Sequence, residues 1–426
     1  MRYSQPFGTP TPPLGVYPRY INGNPVTGTE GSIPPNTAFD EDQIEIVTVI
    51  QNAGLTPDHN DLTQLWQAIQ SLIAQKYITT AITKTVHGAG SDFVDLFAAF
   101  KWLAQYIITN TGSVVFMVAP GRWTYTTTVE VNHPNMNRVT VQGGALLGAS
   151  PTPANLSVTG YHASADGTNQ VIYLRSVYAT ELSFTGGVTA FAILQAGITL
   201  RYLLITGSQT IGTSPGAYPA GDGIYALAEL FLDGIAIWGF GLHGLDIMQT
   251  SVICVSALSV TIAYCGNCGI NCQGGLFNAA SDTAYTNVVS NNVTGVNSLG
   301  ALLWFGRLYV AGHGPPNGNA AIQSLQGGLI VANPGSQLQI NQAGMILAGA
   351  ASCLFESATI NNHATYGIDV YGTATLWINN STLSNNTQYD LIASDGAFVD
   401  ATGASMTIWT PPFNTYNTNN GAFIVH

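Results

Sequence analysis

The sequence predicts a mainly β protein wound as a right-handed parallel β-helix, preceded by a small helical N-terminal hairpin and an amphipathic capping helix. Three observations carry this expectation. After residue 112 the apolar period is two, in short runs such as "SVVFMVAPG" and "NRVTVQGG" that end at Gly, Asn or Pro. These runs recur: Tyr366 and Tyr389 lie 23 apart, Gly372 and Gly396 lie 24 apart, and Gly223, Gly244 and Gly269 are separated by 21 and 25. A coil of three short strands and three turns fits such a repeat, whereas a propeller blade needs about 40–45 residues. Finally, helical periodicity is confined to the segment before residue 112, so the β-rich remainder is expected to lack helices.

The chain has 426 residues, enough for one extended domain and a small one. Charged residues make up only 8 %, against about 25 % in an average soluble domain. With 46 % hydrophobic residues this is not a disordered composition. The apolar run "GMILAGAASCLF" is too short for a membrane span, so no membrane insertion is expected. The net charge is −12, and the lysines are Lys76, Lys84 and Lys101 alone, which argues against nucleic-acid binding. Solvation falls to Asn, Thr, Ser and Gln, a surface suited to neutral sugars and to stacked strands without like-charge ladders. The start "MRYSQPFGTPTPPLGVYP" shows no basic-then-apolar leader pattern. Five cysteines, an odd and sparse set, do not form a disulfide framework.

Residues 1–30, rich in Pro and Gly, are expected to form an extended arm. Residues 31–78 form a helical segment. Thr37 followed by Asp40 is a capping-box pattern, the first helix runs to about Asn52, and Gly54 ends it. Asp58 and Asp61 open the second helix, whose Leu62, Leu65, Trp66, Ile69, Leu72 and Ile73 share one face. Two short helices cannot bury that stripe alone. Residues 79–90 are a linker. The capping helix spans 92–108, with Ser91 or Asp92 as cap and Phe93, Leu96, Phe97, Phe100, Leu103, Ala104 and Ile107 as its apolar face. The open end of a stacked β-helix needs such a cover. The β-helix with its cap occupies 91–405. Residues 406–426, interrupted by Pro411-Pro412, form a C-terminal cap or tip.

Two stretches resemble known families. Residues 92–144, with Pro120-Gly121-Arg122-Trp123-Thr124-Tyr125 and His133-Pro134 through Gly143, resemble the opening of pectate-lyase-like (pectin-lyase-like) β-helix domains in bacteriophage tail spikes. Residues 31–69 resemble the N-terminal segment of phage tail fibre proteins at Gly31, Ile33, Pro34, Gln43, Glu45, Ile50, Ala53, Gly54, Leu55, Pro57, Gln64, Leu65, Ala68 and Ile69. Together they cover the first third of the chain. They imply a virion component made in the host cytoplasm, a homotrimer attached to a tail or baseplate protein through residues 1–78. Its β-helix would contact host surface polysaccharide, and no cofactor is implied. Ile50, Leu62, Leu65, Trp66, Ile69 and Leu72 would then serve attachment and trimer packing.

Such spikes often cleave polysaccharide, and hydrolysis needs two carboxylates about 5–9.5 Å apart. Rung spacing brings Asp222 and Asp246, 24 apart, to adjacent coils, with Glu229 and Asp233 between them; Asp222, Asp233 and Asp246 are the catalytic candidates. Trp238 and His243 are candidate glycan contacts. The alternative is structural, since turn aspartates commonly cap strand ends. A uronate lyase is disfavoured, because the β-region has only Arg122, Arg138, Arg175, Arg201 and Arg307 to hold a carboxylate. Cys265, Cys268 and Cys272 lack a completing His or Cys pair, so no metal is expected there and buried stacking is the reading. Asn-rich turns could bind sugars or calcium, but are read as left-handed turn residues with Asn side chains stacking between coils. The expected role is a structural, receptor-contacting tail spike; the alternatives are a depolymerase spike and a secreted pectate-lyase-like enzyme, the latter disfavoured by the missing leader and the tail-fibre-like hairpin.

Overall fold

The computed structural model describes residues 26–27, 37–58, 60–74, 76–156, 158–159, 164–195, 197–208, 220–256, 258–279, 285–289, 294–313, 320–406, 416–419 and 421–425. The arm expected at 1–30 lies outside them except for two residues, and so does Pro411-Pro412. The chain divides into two compact units, residues 1–78 with 105–109, and residues 79–104 with 110–426. Among the described residues no helix is long and apolar enough to cross a membrane.

The first unit is a helical hairpin, α1 (Thr37–Asn52) and α2 (Gln64–Ala74). Gly54 ends α1 at φ +77°, a left-handed conformation that glycine adopts without Cβ strain. Gln64 holds the connection closed: its Oε1 accepts from the Asp58 N–H at 2.7 Å and its Nε2 donates to the Thr56 carbonyl at 2.8 Å. Asp61 accepts from the Thr63 N–H at 2.9 Å. The hairpin has a small core of Ile50, Ala53 and Ala68, with Leu72 packed against it. Ile50 and Leu72 are thus used inside the hairpin, unlike the rest of the expected packing stripe. Leu62, Leu65, Trp66, Ile69 and Ile73 are exposed, Leu62 at 94 % and Trp66 at 61 %.

The second unit is a parallel β-helix. Three sheets run its length, with 13, 11 and 11 strands among the described residues, and every strand pair within them is parallel. The coil repeat read from the sequence is the register: Tyr366 pairs with Tyr389. Gly223, Gly244 and Gly269 stack at the entrance to the third sheet, so close that a Cβ on Gly223 would stand 2.4 Å from the Gly244 carbonyl oxygen.

The residues expected to be a linker contain a strand. Ala81–Val86 pairs with Ser113–Val118 and opens the first sheet. Only Val86 of this strand is buried, and Lys84 faces outward to pair with Asp92 at 2.9 Å, so an edge strand of this kind carries little apolar signal. The capping helix α3 is shorter than expected, Leu96–Leu103. Its N-cap is Asp95, whose Oδ1 accepts from the Ala98 N–H at 2.7 Å; Asp92 instead accepts from the Thr85 N–H and hydroxyl. Ile107–Ile108 pairs with Tyr77–Ile78 in the first unit. Leu96, Ala99 and Leu103 are fully buried, and Phe93, Phe100 and Trp102 close around Phe116 of the first coil at ring separations of 5.5–6.3 Å among Phe93–Trp102, Phe93–Phe116, Phe100–Phe116 and Trp102–Phe116. At the other end, Tyr416–Asn419 and Phe423–Val425 continue the third and first sheets.

A helix inside the β-region was not expected. α4 (Ser164–Val177) packs Val171, Leu174 and Val177 onto the outer face of the second sheet, against Trp238, Tyr264, Val289 and Tyr309. Its apolar residues crowd into the second half, with Val171, Ile172, Tyr173 and Leu174 consecutive, so no 3.6-period stripe runs the length of the helix to be read from the sequence.

Two of the Asn-rich turns are left-handed as read, but the side chain that stacks inward is the one after the left-handed Asn; residues 290–293 of the third turn lie outside the described residues. Asn362 and Asn385 are left-handed, at φ +60° and +56°. The residue after each left-handed position turns inward, and His313, Asn341, His363 and Asn386 form one buried column. The His313 N–H donates to Asn341 Oδ1, the Asn341 N–H to His363 Nδ1, and the His363 N–H to Asn386 Oδ1, at 3.0, 3.3 and 3.2 Å. Burial pushes the His363 pKa down to about 3. Between the usual imidazole value near 6.5 and that value the unfolded chain binds a proton that the folded chain refuses, so stability is lost as pH falls through this window. We expect His363→Asn, which installs a residue the column already uses, to flatten the decline of the urea midpoint between pH 6.5 and pH 4. An unchanged decline would contradict this.

Candidate functional site

The site assembles where the chain enters the third sheet on two successive coils. Each coil places one residue just before its stacked glycine. These are Asp222 before Gly223 and His243 before Gly244, brought together by parallel pairing of Ile224–Ala226 with Leu245–Met248. The His243 N–H and Nδ1 both contact Asp222 Oδ1, at 3.0 and 2.9 Å. Asp246, three residues on, brings Oδ2 to 3.8 Å from His243 Nδ1. Asp222 and Asp246 are each 8 % exposed.

Asparagines from the next coils complete the surroundings. Asn267 Nδ2 lies 3.1 Å from His243 Nε2. With that amide donating, Nε2 carries the lone pair and Nδ1 the proton given to Asp222. Asn271, in register with Asp246, donates to Asp246 Oδ1 at 2.7 Å, and Asn297 donates to Asn271 Oδ1 at 2.8 Å. Burial raises the Asp246 pKa above the ordinary carboxylate value, against the lowering effects of His243 and the Asn271 bond; Asp222 adds to the rise. A proton is therefore held at Asp246 more readily than at a free carboxylate.

The other candidates lie elsewhere. Asp233, 4 % exposed, is the last residue of a first-sheet strand; Arg201 Nε donates to its Oδ2 at 2.6 Å and the Ser256 hydroxyl to its Oδ1. It is a structural ion pair, not a member of the group. Trp238 is 6 % exposed, stacked on Tyr264 at 5.7 Å beneath α4, and presents no face to a sugar. Asn267 and Asn271 escaped sequence reading, although Asn271 is one coil, 25 residues, beyond Asp246.

Among the described residues, Asp222, His243 and Asp246 form the one trio of His, Cys, Asp or Glu donors within chelating reach, with their ligand atoms inside 4.8 Å of one another. One imidazole and two carboxylates would suit a divalent cation only once His243 Nδ1 gives up the proton it donates to Asp222. Metal competence thus falls here, where the sequence suggested none. Cys265, Cys268 and Cys272 are buried and unbridged, and burial pushes their thiols up to about 12, so they remain protonated packing residues. The carboxylates are closer than an inverting glycosidase pair and the imidazole fills the space between them. The chemistry on offer is proton transfer at His243, oriented by Asp222.

No family model matches the chain, and no curated protein matches it. Solved structures with a related winding include the A-module of the Azotobacter vinelandii mannuronan C-5 epimerase AlgE4, at 11 % identity over 73 % of this chain and 87 % of that one, TM-score 0.41. ORF18 of Geobacillus virus E2 matches at 14 % identity over 96 % of this chain and 68 % of that one, TM-score 0.26. The tailspike gp49 of Acinetobacter baumannii bacteriophage Fri1, a capsular polysaccharide depolymerase, matches at 10 % identity over 82 % and 64 %, TM-score 0.33. At these values no role for any residue is carried across. The site itself is a stacked Asp222–His243 pair with a second carboxylate beside it, Asp246, whose pKa burial raises.

Proposed function

We propose that this chain is a bacteriophage tail spike or tail fibre component, a homotrimer that joins the tail through residues 1–78 and meets host surface glycan with its β-helix. The observation that supports this most is the helical unit whose largest apolar residues stay uncovered, with Leu62 94 %, Trp66 61 % and Ile73 53 % exposed. A free hairpin of this size gains nothing from such exposure, and equivalent residues of two further copies are the natural cover. The resemblance of residues 31–69 to tail fibre segments points the same way. The β-helix supplies a surface of amides and hydroxyls with few free charges, suited to sugar hydroxyls.

A second reading, a polysaccharide depolymerase, is favoured by one observation: the Asp222–His243–Asp246 group. One experiment separates the two. The purified protein is incubated with polysaccharide from the host surface, and new reducing ends, unsaturated products and retention of the polysaccharide are measured. Retention without cleavage is expected from the first reading. Cleavage that falls about 100-fold or more in both Asp222→Asn and His243→Gln would establish the second. Neither retention nor cleavage would overturn glycan contact altogether.

A further inference from the structure

The five arginines of the β-region are not equivalent. Arg122 and Arg175 converge on Glu181, at 3.3 and 2.9 Å. Arg201 is paired with Asp233, and Arg138 donates to the Asn110 carbonyl at 2.6 Å. Arg307 alone among them makes no ion pair or hydrogen bond with the described residues, and its Nε is buried without a partner. Its guanidinium lies over the Tyr285 ring, 5.6 Å from the centroid.

Tyr285 borders a cleft of about 530 Å³ on the outer face of the second sheet, lined by Thr152, Pro153, Ala154, Tyr285, Tyr309, Gln337 and Gln339. That volume lies within the range of about 300–1,000 Å³ typical of small-ligand sites. Consecutive strands build the floor: Tyr285 pairs with Arg307, and Tyr309 with Gln337. The wall at 152–154 is pinned to the sheet, because Asn287 Nδ2 donates to the Pro151 carbonyl at 3.1 Å and the Ser259 N–H to Ser150 Oγ at 2.8 Å. The cleft is therefore formed before any ligand arrives. Gln339 Nε2 donates to Gln337 Oε1 at 2.9 Å, which fixes both amides and leaves the Gln337 amide nitrogen to donate outward.

The outer face continues in register from this cleft without a charge. Gln337 pairs with Thr359, Thr359 with Thr382 and Thr382 with Ser405; Gln339 pairs with Asn361 and Asn361 with Ser384. Coils are about 4.8 Å apart, so this is a straight track of hydroxyls and amides leading away from an aromatic-floored cleft.

We propose that the cleft is an oligosaccharide-binding site, and that the track beyond it holds an uncharged stretch of the same glycan. Arg307 covers one face of Tyr285, and the part of the ring that lines the cleft would meet the weakly positive C–H groups of a pyranose. Gln337 and Gln339 offer donors and acceptors to its hydroxyls. The proposal rests on the glycan-contact reading above and gives it a place, one that is independent of Asp222, His243 and Asp246.

The test uses the full-length protein on an array of defined oligosaccharides, uncharged hexose oligomers beside uronic-acid oligomers. Uncharged oligomers are expected to bind. Tyr285→Ala and Gln339→Ala should each weaken that binding about tenfold, Tyr285→Phe should restore it, and thermal unfolding should show that each variant is folded. Binding that is unchanged in both alanine variants would overturn the cleft while leaving glycan contact standing. Binding only to uronic-acid oligomers would overturn the uncharged track. Binding to no oligosaccharide would overturn the cleft and the glycan-contact reading together, and leave the attachment role of residues 1–78 to its own test.

Discussion

A chain that begins at residue 79 is expected to form its β-helix in full, to lose trimerisation through the hairpin, and to be left out of virions. The cut falls before Ala81, the first residue of the first-sheet ladder, and spares α3 and its Asp95 cap. Among the described residues, the strand pairing it removes is Tyr77–Ile78 with Ile107–Ile108. Stacking depends on neighbouring coils alone, so the remaining coils keep their partners. The far-ultraviolet circular dichroism should therefore retain its β signal while light scattering reports a smaller particle. A gentler form of the same change is Trp66→Ser with Ile69→Ser in the full chain. Full burial of one large apolar side chain contributes about 1.5–3 kcal/mol, so this pair removes roughly 3–6 kcal/mol per copy from any assembly it holds together. Ile50 and Leu72, which pack within the hairpin, are left untouched. Normal incorporation of the truncated chain would refute the attachment role.

Gly244→Val is expected to be the most damaging single substitution near the candidate site. The backbone at Gly244 is not left-handed, so the cost is one of space. A Cβ there would stand 2.1 Å from Ile262 Cγ2 and 2.9 Å from the Gly269 carbonyl oxygen. The carbonyl belongs to the next coil and cannot withdraw without opening the ladder, because the Gly244 N–H itself donates to the Cys268 carbonyl at 3.1 Å. Overpacking costs about 1–3 kcal/mol in cores that yield, and a stack held on both sides yields less. A loss of about 3 kcal/mol or more in urea unfolding is expected, together with displacement of the adjoining His243. Gly148→Val, where a Cβ meets nothing within 4 Å, is the matched control and should be near neutral. Equal effects of the two substitutions would refute the stacking argument.

Much of the β-helix was legible because its repeat is local in sequence and its register repeats with it. The 23-residue step from Tyr366 to Tyr389 is a real pairing, and Gly223, Gly244 and Gly269 do stack. The site was legible in part for the same reason. Asp222 and Asp246 were linked by a coil-length separation, and they do lie together. The actual register sets Asp222 beside His243, and Asp246 joins because it follows His243 by three residues. His243 is therefore the centre of the group.

What the sequence determined by itself is what depends on neighbours along the chain or one coil away: the period-two strands, the coil length, the left-handed Asn and Gly turns, and the helical start. Tertiary structure alone decided which side chains are free to act. Asp233 is paired with Arg201 from another coil, and Trp238 is covered by α4, a helix whose apolar residues are clustered in its second half without a helical period. The cleft at Tyr285 exists because residues 150–154 are pinned to a strand 136 residues away, from Pro151 to Asn287. Such contacts are set by close packing between distant segments, and composition and spacing hold no record of them.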